Sequence, residues 1–377
     1  GLLGKWSSGE GAFWLLGWLP VGGPYELSLL AAQQLALGLA HVLVGDLWVL
    51  AGQSNMQGLA PILEQLPALP EVNMLGMSGQ WQPAVPPLHR LFEADHPFFE
   101  LHHHTVYQLT DKQLAANRTA SEEGTPWGGM DAGYSFAKLM VQQTGLPVGL
   151  IPTAYGGSAI AEWDPDKRNE NGGNFYDFME RQIRLAGGRV RGLVWYQGES
   201  DARMPDFEPE FTDSDLDEFR YGRYGRRFDA LARAFRTELA TSEAPVVMVQ
   251  LGRWAQLDPG FDGPWERFRD MQRRLPEAIS NLRVVPAIDL DLSDPIHIGW
   301  ESQLRLGRRI ARVAAPLVDG SLPPKTELRL AQVKYGDSVG SRIWVEYDGV
   351  EGRLTSQGMP AGFRLRNSFT EIGRAHV

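Results

Sequence analysis

Four short segments carry residue types that could perform nucleophilic acyl chemistry. The first, Gly52-Gln53-Ser54-Asn55-Met56, directly follows the apolar run Leu47-Trp48-Val49-Leu50. A serine at that point can project its hydroxyl from a tight strand-to-helix turn, with its own N–H at a helix N-terminus where it could stabilise an oxyanion. An N-cap serine in an ordinary turn would look the same. The second segment is Asp294-Pro295-Ile296-His297. A serine hydroxyl is a weak nucleophile until a base takes its proton, and neutral imidazole suits that task near neutral pH. An aspartate three residues before the histidine lets one turn hold both, with the carboxylate fixing the ring's tautomer. Asp-Pro is also plain turn chemistry.

The third segment is Tyr155-Gly156-Gly157-Ser158, where two glycines let backbone approach a ligand and offer an N–H to an oxyanion, or simply make a turn. The fourth, Trp195-Tyr196-Gln197-Gly198-Glu199-Ser200-Asp201, ends a strongly apolar stretch. Gln197 offers an amide donor there, and Glu199 and Asp201 read as caps or loop carboxylates.

The elements around these segments explain how they could meet. Strands are predicted at Val42–Leu50, Val148–Thr153, Gly192–Gln197, Val246–Leu251 and Val284–Ile288. Helical patterns fall near Ala132–Gln143, Phe175–Ala186, Arg226–Leu239 and Trp265–Leu275, with a last helix at about Glu301–Val313. Strands alternating with helices imply right-handed crossovers and a parallel sheet covered on both faces. The fold class expected is therefore α/β: a three-layer α/β/α, flavodoxin-like sandwich on five parallel strands, with ligands beyond the strand C-termini. Each of the four segments lies just after a predicted strand.

Domain boundaries follow from texture. Residues 1–40, with Pro20-Val21-Gly22-Gly23-Pro24-Tyr25, read as the remnant of an N-terminal β-domain, residues 41–318 as the α/β domain, and 319–370 as a partial C-terminal β-domain. In the last, Arg342–Tyr347 and Phe363–Arg366 read as strands after Pro323-Pro324. Residues 371–377, EIGRAHV, read as translated sequencing adapter outside the fold.

Bulk properties narrow the function. A chain of 377 residues with 43% apolar residues can bury a sizeable core. A net charge of −10 argues against nucleic acid or an anionic membrane as the main partner. The absence of cysteine removes disulfides, thiolate nucleophiles and thiolate metal sites. The apolar stretch Leu27–Val44 is interrupted by Gln33, Gln34 and His41, so it is not expected to span a membrane. No signal peptide is visible, and the chain starts at Gly1 as though trimmed.

Three features are set aside. His102-His103-His104 is expected to be an exposed loop rather than a metal site, because no carboxylate or further histidine accompanies it at a recognisable spacing. Asn117-Arg118-Thr119 fits a glycosylation sequon, a triplet that arises often by chance. Trp127 and Trp163 could stack on sugars or belong to the core, and the region from Gln57 to Pro126 reads as elaborated loops.

Taken together, GQSNM, the Gly-Gly turn, WYQGESD and DxxH resemble, in order and context, the SGNH hydrolases, and more closely the sialate O-acetylesterase and acetylxylan esterase relatives. Further matches are Val44-Gly45-Asp46-Leu47-Trp48, Glu162-Trp163, Trp265 with Arg269 and Gln272, and Gly22-Gly23-Pro24-Tyr25. The resemblance implies Ser54 as nucleophile, His297 as base and Asp294 as its partner. It implies an oxyanion hole of Ser54, Gly157 (or Gly156) and Gln197, where the wider class uses asparagine and this branch glutamine. Gln53, Gly156, Glu162, Trp163 and Glu199 become candidates for substrate-binding or supporting roles. An acetylated carbohydrate substrate, no metal or other cofactor, and a periplasmic or secreted location are the corresponding expectations. The alternatives are a lipase- or thioesterase-type SGNH hydrolase and a carbohydrate-binding relative without turnover.

Overall fold

The computed structural model describes residues 5–9, 12–16, 19–31, 34–122, 128–170, 172–203, 222–255, 262–318, 329–335, 343–349, 363–366 and 371–375. The chain forms two compact units, Gly1–Asp319 and Gly320–Val377.

The first unit begins with two antiparallel hairpins. β1 (Lys5–Gly9) pairs with β2 (Ala12–Leu16), and β3 (Gly22–Ala31) pairs with β4 (Gln34–Val44). The apolar stretch Leu27–Val44 is thus the body of a hairpin. Among the described residues no helix is long and apolar enough to cross a membrane.

The central sheet holds β5 (Asp46–Gly52), β6 (Val72–Leu75), β7 (Trp81–Pro83), β8 (Val148–Pro152), β9 (Gly192–Tyr196), β10 (Val246–Gln250) and β11 (Leu282–Pro286). Its order is β11-β10-β9-β5-β8-β6-β7. Every neighbouring pair is parallel except β6–β7. The expected α/β architecture is present, and β6 and β7 extend the five predicted strands at one edge. Both lie inside the region read as loops, and with four and three residues they are too short to show a period. The last predicted strand sits about two residues earlier than expected, leaving Ile288 41% exposed beyond it.

The described residues of unit 1 form nine α-helices: α1 (Ser54–Gln57), α2 (Pro97–Thr105), α3 (Asp111–Glu122), α4 (Gly133–Thr144), α5 (Phe175–Leu185), α6 (Glu199–Arg203), α7 (Gly222–Ala234), α8 (Asp262–Arg274) and α9 (Trp300–Val318). The longer ones start and stop for local reasons. Asn174 caps α5 by accepting the Asp177 N–H at 2.9 Å, and Gly145, in the left-handed region, ends α4. α4 and α9 pack on each other, with Ser135 Oγ donating to Leu304 O at 2.8 Å.

The core gathers around β5. Trp48, Val49, Leu50 and Ala51 are fully enclosed, as a central parallel strand covered on both faces requires. From β5 the chain builds β6, β7 and β8 on one side and then β9, β10 and β11 on the other. The strand order therefore reverses about β5, and the crevice at such a reversal is where doubly wound sheets receive ligands.

In the second unit β12 (Arg329–Tyr335) pairs with β13 (Ile343–Asp348), and β14 (Phe363–Arg366) with β15 (Glu371–Ala375). Part of the segment read as adapter is thus a paired strand. Pro323, Pro324 and Arg342 lie outside the described residues, as does Trp127.

Candidate active site

β5 delivers Ser54 to the reversal point. It ends at Gly52, whose φ is +135° and whose α-carbon lies so close to β9 that a side chain would meet Tyr196 O at 2.1 Å. Only glycine fits both the angle and the approach. Gln53 is extended, and Met56 and Gln57 donate to its carbonyl at 2.9 and 2.8 Å, winding α1 immediately. Ser54 is the first residue of this turn, and no described residue accepts its N–H.

The Asp294–His297 turn meets it from across the crevice. His297 Nε2 lies 2.9 Å from Ser54 Oγ, and His297 Nδ1 lies 2.6 Å from Asp294 Oδ2. Asp294 Oδ1 accepts the N–H groups of Ile296 and His297, each at 2.8 Å. The carboxylate therefore shapes the turn with one oxygen and holds the ring with the other. An ionised Asp294 accepts from Nδ1–H, which leaves Nε2 free to accept the serine proton. Burial pushes the Asp294 carboxyl up, but the Ile296 N–H, the His297 ring and the His297 N–H outweigh it and hold it below the usual aspartate range. The turn is closed behind by Ser293 N–H to His297 O at 2.8 Å and Gly299 N–H to Asp291 O at 2.9 Å.

The glycine pair divides its labour. Gly156 donates its N–H to Gln57 Oε1 at 2.7 Å, while exposed Gly157, with φ +79°, has no acceptor for its N–H among the described residues. Two unclaimed donors, from Ser54 and Gly157, thus remain at this face. Gly156 also abuts Ser54, since a side chain there would come within 3.5 Å of Ser54 Cβ and 3.0 Å of Tyr107 Oη.

Gln197 departs from its expected place in the oxyanion hole. Its side chain is fully buried, and Nε2 donates toward Ser158 O at 3.0 Å, Gln53 Oε1 at 3.2 Å and the Asp201 carboxylate. Two amide protons already face three protein acceptors, so Gln197 ties loops together rather than presenting a donor to the crevice. Gln53 does the same from the other side, its Oε1 accepting also from the Gly198 and Ser200 N–H groups at 3.3 and 3.2 Å. Trp163 is no sugar platform. It is fully buried against Phe175 and Trp195 and donates to Ser158 Oγ at 3.1 Å. Glu162 caps its short helix through the Ala159 N–H at 2.8 Å and pairs with His102 Nε2 at 2.8 Å.

The three histidines expected in an exposed loop lie instead on α2, and each goes to a different partner. His102 pairs with Glu162, His103 Nδ1 lies 3.1 Å from Tyr155 Oη, and His104 Nδ1 lies 2.7 Å from Leu109 O. Burial, with nearby Arg118, pushes His103 down to about 4. Among the described residues no group of three or more His, Cys, Asp or Glu is arranged to hold a metal.

Other site residues carried no assigned role in the sequence or, like Glu199, only a supporting one. Gln57 secures Gly156 from one turn beyond the serine. Tyr107, raised to about 12 by burial, donates to Gly156 O at 3.3 Å. Asn55 bonds both sides of His297, with Nδ2 donating to Ile296 O at 3.2 Å and Oδ1 accepting the Ile298 N–H at 2.9 Å. Its neighbour Glu199 accepts from Asn55 Nδ2 at 2.7 Å, and burial pushes its carboxyl up despite that bond. Asp201, half-buried nearby, is raised to about 6 by desolvation. Trp265, Arg269 and Gln272 brace the ends of β9 and β10 through bonds to Gly252 O, Leu251 O and Gln197 O.

A mostly parallel sheet flanked by helices, with Ser54, His297 and Asp294 bonded in line beyond its C-terminal edge, has the architecture of an SGNH-type hydrolase. Residues 44–315 match the family described as carbohydrate esterase, sialic acid-specific acetylesterase, and the chain belongs to that family. A probable carbohydrate esterase of Arabidopsis thaliana is 30% identical over 191 residues, a match covering 49% of this chain and 63% of that protein. The chain thus spans somewhat less than two-thirds of that relative's length. Among solved structures, a carbohydrate acetylesterase from Xanthomonas citri superimposes with a TM-score of 0.62 at 21% identity, covering 97% of this chain and 77% of that one.

Proposed function

We propose that the protein is a sialate O-acetylesterase-like enzyme that removes acetyl groups from glycans through an acyl-enzyme on Ser54. The observation that carries this reading is the continuous chain from Ser54 Oγ to His297 Nε2 at 2.9 Å and from His297 Nδ1 to Asp294 Oδ2 at 2.6 Å. Family membership supports a carbohydrate ester as substrate.

His297 takes the Ser54 proton as Oγ attacks the acetyl carbonyl. The oxyanion that forms is held by the N–H groups of Ser54 and Gly157. Collapse expels the sugar oxygen, which receives the proton from His297 and leaves acetyl-Ser54. Water, deprotonated by the same imidazole, attacks the ester, and its collapse returns the proton to Ser54 and releases acetate. Asp294 keeps the ring in the accepting tautomer and stabilises the imidazolium. Gln197 enters only by keeping the Gly157–Ser158 and Gly198–Asp201 loops in register.

The test is hydrolysis of 4-nitrophenyl acetate by the protein and by Ser54→Ala, followed by acetylated sugars. Turnover should fall by at least about 10⁴-fold in the variant. Equal rates in the two proteins would remove Ser54 as nucleophile.

A further inference from the structure

His297 sits in a turn that is one-fifth exposed at the ring and more open at Asp294. Such a turn needs something buried to fix its distance from Ser54. The peptide groups on both sides of His297 end on one side chain: Ile296 C=O receives a proton from Asn55 Nδ2, and Ile298 N–H donates to Asn55 Oδ1. Asn55 is bonded covalently to Ser54, is 2% exposed, and has its own carbonyl held by Gln303 Nε2 of α9 at 2.9 Å. Nucleophile and base are therefore registered through a single residue rather than through the two domain halves separately.

The remaining Asn55 proton goes to Glu199 Oε1 at 2.7 Å. Two oxygen acceptors on one side of the amide and an N–H donor on the other admit one orientation only, since a flipped amide would set oxygen against oxygen. Glu199 Oε2 is buried without a partner among the described residues. The one side-chain partner of the Glu199 carboxyl among the described residues is thus the Asn55 amide.

We infer that Asn55, oriented by Glu199, is the positioning residue that sets His297 against Ser54 for proton transfer. The inference rests on the acyl-enzyme reading for its kinetic consequence, but not for its geometry. Losing the amide leaves the Ile296–Ile298 backbone without its anchor, and a displacement on the order of 1 Å at the base reduces the rate about 10²-fold while leaving substrate binding intact.

The experiment compares Asn55→Ala, Asn55→Asp, Glu199→Leu and Glu199→Gln in the full chain, reading kcat and KM on 4-nitrophenyl acetate, the thermal midpoint, and the low-field proton resonance of His297 Nδ1–H. Asn55→Ala should lower kcat by about 10²-fold with KM within about threefold, and should shift or broaden that resonance. Glu199→Leu should follow it. Glu199→Gln, which keeps an oxygen for Asn55 Nδ2, should recover most of the loss. Asn55→Asp, equal in size and still able to accept from Ile298, carries the test should Asn55→Ala not fold, and should lose at least about tenfold in kcat. Folded variants with kcat within about threefold of the parent, or with an unmoved Nδ1–H resonance, would overturn the inference. Turnover surviving in Ser54→Ala would overturn the acyl-enzyme reading instead, and the resonance, which needs no turnover, would still report whether Asn55 holds the base.

Discussion

The two ends of the central sheet solve opposite problems. At the amino ends of β5 and β8 lies a cavity of 760 Å³ against the end of β4, lined by Leu39, Val42, Leu47, Trp81, Pro147 and Ala186 among others, with His41 its one titratable group. At the carboxyl ends lies a dense polar network: Gln53, Ser54, Asn55, Gln57, Gln197 and Glu199 are each more than nine-tenths buried. The first end is lined mostly by apolar side chains, whereas the second is polar and cross-bonded, with Gln57 Nε2, Gln197 Oε1 and Glu199 Oε2 left without partners among the described residues. Chemistry follows buried polar groups, which persist only when each finds a partner or a task.

Three substitutions sharpen this contrast. The largest effect is expected from Asp294→Asn, which keeps an oxygen for the Ile296 and His297 N–H groups but no longer favours the accepting tautomer of the ring. kcat should drop by roughly 10³- to 10⁴-fold with the thermal midpoint little changed, and a loss below about tenfold would detach Asp294 from the reaction. The sign with pH follows from the lowered Asp294 carboxyl. A depressed carboxyl contributes at pH above the unfolded value and is lost only as pH falls through the folded one, so the gap between parent and variant should persist throughout the neutral range.

Gln197→Ala should act on a different quantity. Ser158 O, Gln53 Oε1 and the Asp201 carboxylate would all lose a donor inside the fold. Stability should fall by about 1–3 kcal/mol per acceptor left unsatisfied, read by denaturant titration, while kcat in the surviving folded protein stays within about tenfold. A loss of about 10²-fold or more at unchanged stability would return Gln197 to the oxyanion hole. The smallest effect belongs to the other end of the sheet. Trp81→Ala should change kcat/KM by less than about twofold, and a larger change would mean that the apolar cavity communicates with the crevice.

The sequence made Ser54, His297 and the glycine turn legible as candidates because each follows an apolar run long enough to read as a strand. Val148–Thr153, Gly192–Gln197 and Val246–Leu251 each ran only one residue past the observed strand. β6 and β7 escaped because four and three residues are too few to show a strand's alternation. Gln197 shows a different limit. Its type and place were right for a donor, but its direction depends on Ser158 and Asp201, which reach it from other loops. The histidine run failed for a third reason: Pro97 at the start of α2, with His96 accepting the Phe98 N–H, builds a helix where the composition suggested a loop.

Ser54 and His297 are 243 residues apart in the chain, and the bond between them forms across the reversal of strand order. During synthesis the serine therefore emerges long before the imidazole that, on the proposed mechanism, activates it. A nascent chain, or one arrested before β11 and the turn that follows, carries an ordinary alcohol at position 54. On that mechanism, ester cleavage reports completed folding.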